Sequence, residues 1–322
     1  MKFNKKMFNK ELRSIYHVGK LLAYMLRKNS RVNFYRRMMD KPSVGKSIDG
    51  IDCSEMMVPS NHGGPDIRVR IFKPKQMEGP LPGMLFFHGG GYIVGTPEQF
   101  LDIIKKYIDK RPCIVIAPDY RKAINDPFPN GFNDCYDTLC WSRDQSGKLG
   151  IDQNRLMVAG HSAGGGLAVA VALKARDTGD VALKLQIPVY PMLDDRQKTE
   201  SMKTFEGVPM WDSRNTAYAW DLYLHRLKLQ GDKIPAYASP ARETDYSNLP
   251  PAISFFGDME PFRDEAQSYL EQLKASGIPV KYKIVKGAFH GFEMAQPKAS
   301  ISKEAESYLL EAYADYYDQY LN

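Results

Sequence analysis

"LMVAGHSAGGGLAVAVALKA", Leu156 to Ala175, decides how this chain folds. It reads as a short apolar strand, then Gly160-His161-Ser162-Ala163-Gly164, then an unbroken apolar helix. That is the strand-turn-helix context in which a GxSxG pattern carries meaning. The turn must hold Ser162 in a strained backbone conformation, and a side chain at 160 or 164 would collide with the neighbouring strand or helix. Ser162 is thereby thrust outward at a helix N-terminus as a candidate nucleophile.

Outward from this turn, short β-branched apolar runs alternate with longer helical patterns. "IRVRIFKP", "GMLFFHGG", "CIVIAPDY", "KLQIPVYP", "AISFFGD" and "VKYKIVKG" supply further strands. Helical patterns run from Glu98 to Arg111, Gly131 to Gly147, Ala163 to Arg176 and Arg263 to Ser276, and a last amphipathic one from Ser302 to Tyr320. The alternation predicts an α/β class fold, a mostly parallel central sheet flanked by helices on both faces. Residues 194–246 break it: they carry no strand signal but an aromatic helical stretch, "TAYAWDLYLHRL". We read them as an insertion that, with the N-terminal segment, forms a helical cap over the carboxyl ends of the strands. The expected division is 1–46, N-terminal cap helices; 47–193, first part of the core; 194–246, cap insertion; and 247–322, second part of the core. The cap aromatics Trp211, Tyr218, Trp220 and Tyr223 either line a pocket or pack the cap helices, and packing is the expectation for any one of them.

At 322 residues with 43% apolar content, the chain can bury one large core or two modest ones. Four scattered cysteines without a CxxC pair point to free thiols in a reducing compartment. The net charge of +6 is unevenly placed, because residues 1–46 hold 13 lysines and arginines against Glu11 and Asp40. Such a segment could touch anionic lipid or nucleic acid. Its residues Phe8, Leu12, Ile15, Val18, Leu22 and Met25 recur every three or four positions, so we expect one helix face packed on the protein body. "LLAYML" is too short for a signal-peptide core, and no stretch approaches the ~20 apolar residues that span a bilayer. A cytoplasmic protein without stable membrane insertion or a nucleic-acid partner is the simplest reading.

A serine hydroxyl needs a base. Of six histidines, His161 adjoins Ser162 and projects elsewhere, His17 and His225 lie in the cap, His62 precedes the first clear strand, and His88 belongs to another motif. His290, in "KGAFHGFEM", follows the last core strand in a glycine-flanked loop, where a base can reach Ser162. "MLFFHGGGYIVG" runs a strand into three glycines. No Lys-Ser/Thr follows and the spacing is not GxGxxG, so phosphate binding is disfavoured. Glycines here let backbone N–H groups point into an open site, and Gly90 and Gly91, with Ala163, are the candidate oxyanion donors, with His88 bracing the loop. "AISFFGDMEPFRDEA" offers four carboxylates, Asp258, Glu260, Asp264 and Glu265. Pro261 suits a first helical position, which leaves Glu260 in the loop and puts Asp264 and Glu265 in the first turn of a helix.

These motifs together resemble the hormone-sensitive-lipase-like esterases of the α/β-hydrolase superfamily. "HGGGY" at 88–92, "YRKAINDPFP" at 120–129, "GHSAGG" at 160–165, "EPFRDE" at 260–265 and "HGF" at 290–292 agree with the family in order, over about Ile67 to Phe292. The family's acid begins a motif Asp-Pro-Leu-x-Asp-Glu, which implies Glu260 as the acid here, one methylene longer, with Asp258 as the alternative. Many relatives carry aspartate where this chain has His161.

The resemblance implies an α/β-hydrolase fold with a helical cap. It also implies a serine carboxylesterase acting on small-molecule esters of short- to medium-chain acids through an acyl-enzyme intermediate. Ser162 is then the nucleophile, His290 the base and Glu260 its orienting acid, with no cofactor or metal; the chain has no HExxH and no clustered His/Cys ligands. The alternatives are an amidase or peptidase on the same residues, and a small-molecule binding protein like the plant gibberellin receptors, which resemble this family with the base lost. The exposed last strand and closing helix leave a homodimer open.

Overall fold

The computed structural model describes residues 3–322. A 3-10 turn at Lys10–Ile15 leads into helices α1 (Tyr16–Met25) and α2 (Asn29–Tyr35), followed by a π-helical turn at Arg36–Asp40. Strands β1 (Ile51–Val58) and β2 (Ile67–Pro74) form an antiparallel ribbon. The alternating heart follows: β3 (Leu81–Phe87), α3 (Leu101–Lys110), β4 (Ile114–Pro118), α4 (Asn130–Asp144), the short α5 (Ser146–Leu149), β5 (Ile151–His161), α6 (Ala163–Thr178) and β6 (Leu183–Val189). Helices α7 (Glu200–Thr204), α8 (Ser213–Tyr223) and α9 (His225–Gln230) then intervene. The chain ends with β7 (Ala252–Gly257), α10 (Arg263–Ala275), β8 (Val280–Val285), the single turn α11 (Phe292–Ala295) and α12 (Ser300–Tyr320).

The strands form one sheet in the order β1-β2-β4-β3-β5-β6-β7-β8. β2 runs antiparallel to both its neighbours, and all pairs from β4 to β8 are parallel. β5 sits between β3 and β6, and its residues Leu156 to Ala159 are fully buried, as a central strand covered on both faces requires. The mostly parallel α/β sheet flanked by helices is therefore present as expected.

Two local expectations need correcting. β1 carries no strand signal in "IDCSEMMV", because it buries just its ends, Ile51 and Val58, leaving no alternating pattern to read. The N-terminal segment is also not one helix packed through Phe8, Leu12, Ile15, Val18, Leu22 and Met25. The buried positions are Phe8, Leu12, Tyr16, Gly19, Ala23 and Leu26, and Val18 is 68% exposed. Gly19 explains the rotation: its carbonyl accepts the Met210 N–H at 2.9 Å, and a Cβ there would lie 2.8 Å from Cβ of Pro209. That close approach turns Val18 and Leu21 outward.

The N-terminal helices and the 194–246 insertion hold each other. Arg27 pairs with the buried Asp212 at 2.7 Å, and Nδ2 of Asn215 donates to the Ala23 carbonyl at 2.7 Å. Asp212 also caps α8, accepting from the N–H groups of Arg214 and Asn215. One residue thus ends a helix and anchors another.

Candidate active site

The turn after β5 has the strain the sequence implied. Ser162 stands at φ 58°, ψ −121°, a conformation L-residues rarely adopt. A Cβ at Gly160 would lie 2.3 Å from the Gly164 carbonyl oxygen, and one at Gly164 would lie 2.0 Å from that of Phe87. The two glycines are thus required by close packing of the turn on β3, their own φ values being ordinary.

Ser162 Oγ lies 2.8 Å from His290 Nε2. His290, in the loop between β8 and α11, hydrogen-bonds through Nδ1 to Glu260 Oε2. The other oxygen of Glu260 accepts the Gly257 N–H at 2.8 Å, so both carboxylate oxygens have partners. Glu260 is fully buried, and burial raises its carboxyl above the ordinary range, opposed by His290 and that N–H. The rings of Tyr190 and Phe262 meet the imidazole edge-on, 4.6 and 5.0 Å between centroids, and fix its plane.

The remaining carboxylates of "DMEPFRDE" go elsewhere. Asp258 accepts the Gly287 N–H at 2.7 Å and does not meet His290. Asp264 receives the Ser201 N–H at 2.7 Å, fixing the start of α7. Glu265, which burial pushes far up, receives the Leu193 N–H at 2.7 Å. The last two tie the insertion to α10.

Beside Ser162, the loop of residues 88–95 turns through Gly90 at φ 121° and Gly91 at φ 59°. Among the described residues, the N–H groups of Gly90, Gly91 and Ala163 donate to no other protein atom. His88 braces the loop: it stacks on Tyr120 at 4.2 Å, its Nδ1 lies 2.7 Å from the Gly89 carbonyl oxygen, and its own carbonyl accepts the Tyr120 hydroxyl at 2.8 Å. Burial lowers the His88 imidazole to about 3, so it is neutral. Trp211 covers the same loop: a Cβ at Gly91 would lie 2.0 Å from its ring.

His161 turns away from Ser162 and meets the Tyr190 hydroxyl at 2.8 Å, which in turn donates to Glu293. All three are nearly fully buried. Sequence reasoning missed Tyr190 and Glu293. The one signal for Tyr190 was its place at the carboxyl end of the strand beside β5; Glu293, three residues after His290, gave none.

A cleft of about 710 Å³, partly open to solvent, is lined at its base by Ser162, His290, Gly89 and Gly90 and walled by Leu22, Leu26, Tyr35, Met210, Trp211 and Met294. Trp220 and Tyr223 are buried packing residues instead, Tyr223 stacking on Tyr92 at 4.0 Å. Of the cap aromatics singled out, only Trp211 lines this cleft.

A profile of the α/β-hydrolase fold matches residues 84–294. An arylesterase of Saccharolobus solfataricus is 33% identical over 237 residues, 73% of this chain and 75% of that one. An ethyl acetate hydrolase of Pseudomonas putida is 27% identical over 280 residues, 85% of this chain and 86% of that one. Among solved structures, a bacterial heroin esterase superposes with a TM-score of 0.87 at 30% identity, covering 97% of this chain and 98% of that one. The chain belongs to the α/β-hydrolase superfamily, in its hormone-sensitive-lipase-like esterase family.

Proposed function

We propose that the protein is a serine carboxylesterase for esters of short- to medium-chain acids. The observation that carries this reading is the Ser162, His290, Glu260 hydrogen-bond chain, set beside unpartnered backbone N–H groups in an apolar cleft. Ser162 Oγ attacks the ester carbonyl as His290 Nε2 takes its proton, and Glu260 holds the imidazole tautomer and stabilises the imidazolium. The N–H groups of Gly90, Gly91 and Ala163 receive the oxyanion. Collapse breaks the ester C–O bond, and His290 returns its proton to the leaving alkoxide, giving the alcohol and an acyl-serine. Water, deprotonated by His290, repeats the sequence and releases the acid. No step requires a cofactor.

The engagement of His290 with Ser162 weighs against a receptor-like binding protein, since that reading needs the base to be absent. Trp211 across the glycine loop limits the space beyond Ser162, which supports shorter acyl chains. The four free cysteines agree with a cytoplasmic protein, and Ile284, 37% exposed on the edge strand β8, leaves a homodimer open to test by light scattering.

The experiment is the initial hydrolysis rate of p-nitrophenyl esters from acetyl to dodecanoyl, wild type beside Ser162→Ala. Rates that peak at short or medium chains and vanish in the variant support the proposal. No turnover of any ester by the wild type ends it.

A further inference from the structure

The outer face of the N-terminal cap has the composition of a surface that meets something. Helix α1 packs through Tyr16, Gly19 and Ala23. Opposite them, Val18, Leu21 and Tyr24 are 68%, 61% and 55% exposed. The α2 segment and the turns after it add Phe34, Met38, Met39 and Val44, each exposed by 47% or more. Among the described residues twelve large apolar side chains are well exposed, and seven of them lie between residues 18 and 44. Exposed apolar residues scattered singly are normal; this concentration is not.

Charge identifies the partner. Lys20, Lys28, Arg37, Lys41 and Lys46 are exposed among these side chains, and Arg31 lies 3.9 Å over the Tyr24 ring. The two acids of the segment are engaged: Asp40 is buried against the Gly95 N–H, and Glu11 is bonded to Ser300. Aliphatic, aromatic and methionine side chains interleaved with unneutralised Lys and Arg suit the headgroup layer of an anionic bilayer, where apolar groups enter the interface and cations stay at the phosphates. A protein partner would need an acidic surface that also carries an apolar groove. The position fits lipid as well, because Leu22 on α1, Tyr35 on α2 and Leu26 between them line the cleft over Ser162.

We propose that the outer face of residues 18–44 is a peripheral docking surface for anionic lipid bilayers, which holds the mouth of the cleft against the headgroup layer. The contact is interfacial, since no described helix is long and apolar enough to cross a membrane. Docking is read without turnover, so its failure and that of the esterase reading are separable.

The test is flotation of the full chain with phosphatidylcholine vesicles, with and without phosphatidylglycerol. Binding is expected only with the anionic lipid, weakening as salt rises. Leu21→Asp/Phe34→Asp should reduce it by about tenfold or more, each change removing apolar insertion and adding repulsion. A control, Met57→Asp/Leu229→Asp, on the other exposed apolar residues, should bind as wild type does. Hydrolysis of a soluble short-chain ester should be equal in all three proteins, showing that the variants fold. Absence of vesicle binding, or equal losses in patch and control variants, overturns the proposal. So does a patch variant that changes only the oligomeric state, because the surface would then be a protein interface.

Discussion

At the scale of single residues, the site separates four neighbouring carboxylates into four tasks. Glu260→Gln keeps the shape but offers His290 an amide, so kcat should fall roughly 10³- to 10⁴-fold, the scale for an orienting acid so replaced. Asp258→Asn, at a carboxylate that accepts the Gly287 N–H and does not meet His290, should stay near wild type; the reverse result in steady-state assays would move the acid's role to Asp258. Tyr190→Phe removes the hydroxyl joining His161 to Glu293 and leaves a buried carboxylate without that donor, so stability should drop by about 1–3 kcal/mol in urea unfolding. Ser162 and His290 were legible in sequence because glycines and a strand-end loop leave local marks. Glu260 needed a proline to separate it from its neighbours. Tyr190 was missed although it stands at a strand's carboxyl end, since an aromatic there reads as core until the fold brings it against the imidazole.

At the scale of elements, the ribbon β1–β2 is held to the rest by its pairing with β4 and also by charge. Arg68 on β2 bonds the buried Glu98, which also accepts the Gly45 N–H at 2.9 Å. Burial raises the Glu98 carboxyl, but the hydrogen bonds from Arg68 and Gly45 and the Arg68 charge outweigh it, and the net shift is downward. A carboxyl lowered in the folded state contributes stability that is complete above its unfolded value of about 4.3 and is lost as pH falls through the folded value. Glu98→Gln should therefore cost roughly 2 to 4 kcal/mol at neutral pH, and the gap in melting temperature should close on acidification below that range. The same scale shows why β1 could not be read from sequence while β8, also an edge strand, could: "VKYKIV" keeps β-branched and aromatic residues at every second position, and "IDCSEMMV" does not. Burial on both faces writes an apolar run; an edge with its middle exposed writes none.

At the scale of the whole molecule, the cleft is closed by two segments far apart in sequence. Arg27→Ala breaks the ion pair with Asp212 and loosens the N-terminal helices from the insertion. Because those helices carry cleft walls and not the proposed triad, KM for a soluble ester should rise several-fold with kcat changed less, and limited proteolysis should cut residues 16–40 sooner. The helix periodicity announced a packed face there but could not announce which one, since Gly19 rotates the helix to meet a segment the sequence places in another part of the chain. The bond from Asn215 to Ala23 spans 192 positions. At ribosomal speeds of about 5–20 residues per second, the packing face of α1 waits roughly 10 to 40 seconds for its partner to be synthesised. During that interval the face of α1 that Met210 and Asn215 later cover has no partner from the insertion, so the cap is completed only after residues 47–193 have been made.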